Sequence, residues 1–308
     1  MSIKTLKKIK MLSKTNRIFF SNGKAHFTNH KEHGWIWVTI DSEMEEGHYT
    51  FSKGELLNMG YSDIPEMNLG VDLNAEMPMV DVTDIPYEIV NFVSNDKDNS
   101  LSGIYFDKEH ECIVATDGRI LYTHELKDIP ESILIRPEFW KLLHHFKLTQ
   151  IFFNDKYSIA KGDGVTIICE LITREVYPSW FHCVPKGNTH IEITDKIKKD
   201  ILKALKLLKP HYILNMFVVF DGTDIKVVSG AGLSFKINIG VELFPDKVIM
   251  LDANNLKKVL KLAQGYINFP KSKKHAVTIS NNDSTSLIMP FPLPDDSMLN
   301  TTFVEFNG

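Results

Sequence analysis

Few side chains in this sequence have the chemistry of a nucleophile or a metal ligand. Cys112, Cys169 and Cys183 are the three cysteines, and only Cys183 has a histidine, His182, beside it. Read as strand neighbours, those two side chains point to opposite faces, so they do not form the hydrogen-bonded pair that an activated thiol needs. Cys112 and Cys169 fall inside apolar strand patterns and read as core. His30 with His33, His110 with Glu111, and the pair His144-His145 invite a metal. Adjacent residues on a helix point about 100° apart, however, and cannot ligate from one face, so these histidines read as surface residues. The sequence has no phosphate-cradling glycine loop, no dinucleotide fingerprint and no Cys-x-x-Cys pair. The residues therefore point to no catalytic group, no cofactor and no metal.

The chemistry present in quantity is that of the ammonium group. Of 35 basic residues, Arg17, Arg119, Arg136 and Arg174 are arginine and the other 31 are lysine, yet the net charge is −4. Helical periodicity gathers the positive charge onto one side of four amphipathic segments. In 3–12, Leu6, Ile9 and Leu12 oppose Lys4, Lys7 and Lys8. In 137–146, Phe139, Leu142, Leu143 and Phe146 oppose Lys141, His144 and His145. In 195–208, Ile197, Ile201, Ala204, Leu205 and Leu208 oppose Lys196, Lys199, Lys203 and Lys206. In 254–263, Leu256, Val259, Leu260 and Ala263 oppose Lys257, Lys258 and Lys261. A fifth helix, expected over 85–93, is acidic through Asp84 and Glu88. Negative charge otherwise lies at 43–46, 107–111 and 295–296. One lysine stripe is what any solvated helix face looks like; four on an acidic protein suit a polyanion held in one place.

These helices recur in a fixed setting. Each is followed by two or more strands joined by turns such as Ser21-Asn22-Gly23, Asp155-Lys156 and Gly162-Asp163-Gly164, and at least four such units follow one another. Helix-plus-hairpin repeats predict an α+β fold in which helices cover one face of antiparallel sheets, and disfavour a doubly wound fold, which needs strand–helix–strand alternation. With 308 residues, 43% of them hydrophobic, the chain has the length for two or three domains. Turn-rich breaks place these at 1–76, 77–186 and 187–308, the last ending in a tail, 294–308. Scattered cysteines and the lack of a long apolar run predict a cytoplasmic protein without a membrane span.

Three stretches carry a resemblance. Leu101 and Gly103 open a hairpin that leads to Ala115-Thr116-Asp117-Gly118; Arg174 to Lys186 holds Tyr177-Pro178 and Val184-Pro185; Leu287-Ile288-Met289-Pro290-Phe291 forms an apolar strand end. In this order and spacing they resemble the bacterial DNA polymerase III beta subunit, the sliding clamp, over about 79–293. The resemblance implies the DNA-clamp fold, with repeated helix-and-sheet domains whose helices face a central channel, and it makes 1–76 a shortened first domain. It implies a processivity factor, not an enzyme, that encircles double-stranded DNA without sequence preference as a head-to-tail homo-oligomer, a dimer rather than a trimer. The channel residues would be Lys7, Lys141, Lys196, Lys199, Lys203, Lys206, Lys257, Lys258 and Lys261.

DNA polymerase and the clamp loader would dock by linear motifs in a hydrophobic pocket of Leu101, Thr116, Gly118, Arg119, Leu121, Pro178, His182, Cys183, Leu287, Ile288, Met289, Pro290 and Phe291. This pocket departs from the family where Arg119-Ile120-Leu121 replaces histidine-arginine-leucine and where His182-Cys183 replaces arginine-valine. A modified partner motif is expected. The tail carries Met298, Leu299 and Phe303, apolar enough to fold back into the pocket. A shortened, lysine-rich member suits a bacteriophage working in the bacterial cytoplasm. Two other readings stay open: a clamp-like adaptor for transcription or repair that never encloses DNA, and an unrecognised nucleic-acid enzyme.

Overall fold

The computed structural model describes residues 3–13, 17–31, 34–52, 55–59, 72, 75–96, 100–173, 176–185, 189–208, 216–221, 224–229, 234–238, 248–262, 265–269, 275–291 and 303–305. The chain divides into two units, Met1–Ala115 with Leu126–Tyr177, and Thr116–Glu125 with Pro178–Gly308. In chain order the first stretch holds α1 (Ile3–Ser13), β1 (Arg17–Ser21), β2 (Lys24–Lys31), β3 (Gly34–Asp41), β4 (Gly47–Ser52), β5 (Glu55–Asn58), β6 (Met79–Asp81), β7 (Ile104–Asp107) and β8 (Cys112–Thr116). There follow β9 (Ile120–Glu125), β10 (Ile133–Ile135), α2 (Pro137–His145), β11 (Gln150–Phe153), β12 (Tyr157–Gly162) and β13 (Val165–Glu170). The remainder is β14 (Thr189–Ile193), α3 (Asp195–Leu208), β15 (Met216–Asp221), β16 (Asp224–Ser229), β17 (Ser234–Asn238), β18 (Val248–Asp252), α4 (Ala253–Leu262), β19 (Gly265–Phe269), β20 (Val277–Ser280), β21 (Ser284–Ile288) and β22 (Phe303–Glu305).

The first unit is built on a nine-stranded sheet, β5-β4-β1-β2-β3-β13-β12-β11-β6. Its β1–β2 hairpin turns on Asn22 and Gly23, whose φ values of 50° and 70° are those of the primed turn that the Asn-Gly pair favours. The long-range join is β3 with β13, antiparallel from Ile40 opposite Val165 to Ile36 opposite Cys169. Helices α1 and α2 pack on β2 and β13 respectively and touch each other, burying Leu6 and Ile9 of α1 and Phe139, Trp140, Leu142 and Leu143 of α2. This is the α+β arrangement that periodicity predicts, with antiparallel sheets and helices laid on one face.

The second unit holds the strand run β9-β21-β20-β19-β14 of an eight-stranded sheet, and the five-stranded sheet β18-β15-β16-β17-β22. Helix α3 packs on β14, β16 and β17; α4 packs on β9, β15, β18 and β21; and the two helices touch. Ile201, Ala204 and Leu205 of α3 and Leu256, Val259 and Leu260 of α4 are buried, as their spacing requires. No helix among the described residues is long and apolar enough to cross a membrane.

Two local expectations fail. Residues 85–93 are not a helix: a 3₁₀ turn spans Tyr87–Asn91. Pro86 lacks an N–H, the β-branched pair Ile89-Val90 lowers helix propensity, and the apolar spacing reflects burial of Ile85, Ile89, Val90 and Phe92 instead. His182 and Cys183 are not in a strand but in a 3₁₀ turn, Trp180–Cys183, so strand alternation does not govern where they point. Of the tail's apolar residues, Met298 and Leu299 lie outside the described residues, whereas Phe303 sits in β22, paired to β17.

Candidate functional site

The second unit concentrates its unusual geometry where β9 begins and β21 ends. Gly118 takes φ +86°, a conformation that glycine adopts without steric cost, and so lets the chain reverse between Thr116 and Ile120. The buried Thr116 donates through Oγ1 to the Ile120 carbonyl at 2.6 Å and accepts the Gly118 N–H at 3.0 Å. Asp117 Oδ1 accepts the N–H groups of Arg119 and Ile120 at 2.9 and 3.0 Å. Its other oxygen lies 3.9 Å from Lys258 Nζ on α4, an open ion pair worth at most about 1 kcal/mol. The turn is thus held by its own side chains and stands at a fixed place on the sheet.

From there β9 pairs with β21, Leu121 opposite Leu287 and Ile120 opposite Ile288. Just past the strand end the Met289 N–H donates to the Arg119 carbonyl at 2.9 Å. Two residues later the chain has reached the unit's other sheet, where the Phe291 N–H donates to the Met250 carbonyl of β18 at 2.8 Å. Pro290, with no N–H to satisfy, occupies the crossing. The Phe291 ring lies 4.9 Å from that of Phe217, which belongs to a buried cluster with Val219, Val228 and Met250. Although backbone bonds hold both residues, the side chains of Met289 and Phe291 are 43% and 44% exposed. The result is an apolar shelf on a rigid backbone, the kind of surface onto which an extended peptide segment lays its own apolar side chains.

The structure therefore brings together Thr116, Gly118, Arg119, Leu121, Leu287, Ile288, Met289, Pro290 and Phe291 of the pocket set. Leu121, Leu287 and Ile288 are buried and support the shelf, whereas Gly118, Arg119, Met289 and Phe291 are exposed. Pro178, His182 and Cys183 are exposed on a separate segment, where the His182 ring lies 4.1 Å from Phe181. Among the described residues no hydrogen bond or ring contact ties those three to the shelf. Leu101 belongs to the first unit, half-buried in a 3₁₀ turn, Ser100–Ser102, with its carbonyl accepting the Ser94 N–H at 2.8 Å. Sequence reasoning missed Met250 and Phe217, which anchor Phe291 from another sheet. The continuous apolar run of 248–251 is their one local signal.

The lysine stripes sort by helix. On α3, Lys196, Lys199, Lys203 and Lys206 are all exposed, as are Lys257 and Lys261 on α4, opposite the buried faces. Lys258 is half-buried and reaches toward Asp117. In the first unit α1 exposes Lys4, Lys7 and Lys8. Lys7 of α1 is exposed, its Nζ 6.0 Å from the Phe51 ring centroid, and Lys141 of α2 is half-buried. His144 packs on Trp140 and Tyr87, with ring centroids 5.0 and 5.5 Å away. Burial holds its pKa below the usual imidazole value, against the pull of Glu88, and burial with help from Lys8 lowers that of His145 as well.

No protein-family model matches the sequence, and no curated protein matches it significantly. Solved structures do. The beta clamp of Helicobacter pylori, determined bound to a DNA ligase peptide, superposes with a TM-score of 0.67 at 12% identity, covering 94% of this chain and 97% of that one. DNA polymerase III subunit beta from Borrelia burgdorferi, in complex with a natural product, gives 0.66 at 15% identity over 95% and 97% of the two chains. The beta subunit from Thermotoga maritima gives 0.63 at 14% identity over 96% and 94%. This is the sliding-clamp fold. On that fold the chain spreads its similarity over nearly its whole length, the first 76 residues included, although the motifs that announce a clamp are confined to 101–121, 174–186 and 287–291.

Proposed function

We propose that this protein is a sliding clamp: a non-enzymatic tether that closes head to tail with a second copy around duplex DNA and holds a polymerase, or a clamp loader, through a linear motif laid on the Met289–Phe291 shelf. The division into a shortened first domain (1–76), a middle domain (77–186) and a third (187–308) belongs to the same proposal, as does a place of action in the bacterial cytoplasm, including that of a phage-infected cell. The observation that carries it is the separation of surfaces in the second unit. Six exposed lysines stand on the outward faces of α3 and α4, while the apolar shelf is built by the ends of β9, β18 and β21. A cation face with no bidentate arginine geometry suits phosphate contacts that are salt-labile and indifferent to sequence. Retention then comes from topology and processivity from the local concentration of the tethered enzyme. That the Helicobacter pylori clamp takes a ligase peptide supports a short peptide as the class of partner.

The deciding experiment is loading onto a nicked circular plasmid followed by linearisation. A clamp stays with the circle through a high-salt wash and is released when the circle is cut. Retention that ignores the cut rejects encirclement and leaves the adaptor reading.

A further inference from the structure

Two helices carry an exposed apolar residue within their lysine stripe. On α1, in the first unit, Lys4, Lys7 and Lys8 are exposed, and Met11, four residues beyond Lys7, is 60% exposed. On α3, in the second unit, Lys196, Lys199, Lys203 and Lys206 are exposed, and Leu207, four residues beyond Lys203, is 47% exposed. Residues four apart are neighbours on a helix surface, so each apolar side chain follows a lysine on the same face. The buried positions lie elsewhere: Leu6 and Ile9 on α1, Ile201, Ala204 and Leu205 on α3. At the same step α2 places His145 after Lys141, and α4 places Lys261 after Lys257.

A single exposed apolar residue is ordinary on any protein surface. Two at the same step, each in the last turn of a lysine-faced helix, need a reason. Helix propensity does not supply one, because lysine, which fills the rest of both stripes, forms helices about as well as methionine or leucine. The core does not supply one either, since both side chains are turned away from it. Their surroundings do. A face of ammonium groups selects a polyanion. Between its phosphates a DNA duplex presents the C–H edges of its sugars and, in the grooves, base edges and thymine methyl groups, which accept apolar side chains such as methionine and leucine. Contact with sugar carries no sequence information, as sliding requires.

We propose that Met11 and Leu207 are the non-ionic DNA contacts of their helices, each laid against sugar edges between phosphates that the neighbouring lysines engage. The inference rests on the duplex-binding reading above and deepens it. Salt screens the lysines but not an apolar contact, so these residues hold each helix to the duplex where ion pairing alone fades. Covering one such side chain is worth about a three- to tenfold gain in affinity.

The test measures the affinity of the full chain for a short duplex by fluorescence anisotropy over a series of salt concentrations. Met11→Ala with Leu207→Ala should lower affinity at least about tenfold at every salt concentration. The slope of log affinity against log salt should stay unchanged, because no phosphate contact is lost. Met11→Leu with Leu207→Met, which keeps both positions apolar, should bind as the parent chain does. Equal affinity of the alanine variant and the parent overturns the proposal, as does a loss with a shallower slope, which means that the lysines have been disturbed. A loss as large in the swapped variant overturns it too. Failure of the clamp reading looks different. If the alanine variant loses affinity at constant slope but the parent is not released from circular DNA on linearisation, the apolar contacts stand and encirclement falls. If the parent is released and the alanine variant binds as tightly, encirclement stands and the contacts fall.

Discussion

Phe291 shows at the scale of one residue how an exposed side chain can still be well placed. Its N–H is spent on Met250 and its ring rests on Phe217, so the surface it offers is ordered before any partner arrives, as the proposed peptide site requires. Phe291→Ala and Met289→Ala should each weaken binding of a polymerase-derived peptide by about 1–2 kcal/mol, or roughly 5–30-fold, measured by fluorescence anisotropy. Met289→Ala, which removes a side chain already 43% exposed, should leave the melting temperature nearly unchanged. Binding unchanged in both variants would move the peptide site elsewhere. Both residues were legible from the strand-end motif, and the 116–119 turn was legible because Asp-Gly has few other uses. The supports were not. Nothing near Lys258 in sequence says that it approaches Asp117, and nothing near Met250 says that it receives the N–H of Phe291.

Among the elements, α3 is the simplest, since its bounds, buried face and exposed lysines all follow from periodicity. Replacing Lys199, Lys203 and Lys206 by glutamate should lower DNA affinity and flatten its salt dependence by about 0.9 in log–log slope for each phosphate that is no longer neutralised. Stability should change by no more than about 0.5 kcal/mol, because the three side chains are exposed. An unchanged slope would remove α3 from the DNA face. The packing of α1 against α2 makes a pH prediction. His144 and His145 both have pKa values below the usual imidazole value of 6.5, chiefly through burial, so the folded state favours their neutral forms. The stability this contributes is complete above about 6.5 and disappears as pH falls through the lowered values. Melting temperature should therefore drop on acidification from neutral pH, and less steeply in the His144→Gln, His145→Gln variant; equal slopes would exclude these rings. Residues 85–93 mark where periodicity misleads, since a buried 3₁₀ turn and a short helix bury apolar residues at similar spacings.

For the molecule as a whole, plasmid loading tests encirclement and duplex affinity over a salt series tests the apolar contacts of Met11 and Leu207. What the amino-acid sequence determined unaided is much of what depends on neighbours a few residues apart. That includes four amphipathic helices with their lysine faces, the Asn22-Gly23 hairpin, the Thr-Asp-Gly turn and the α+β alternation. Tertiary structure alone decided which edges meet: β3 with β13, Phe291 with Met250, and β22 with β17. Such pairings join segments far apart in the chain. Strand residues favour a pleated, half-buried surface without naming the partner strand, and the partner is selected only when backbone hydrogen bonds and burial are satisfied together.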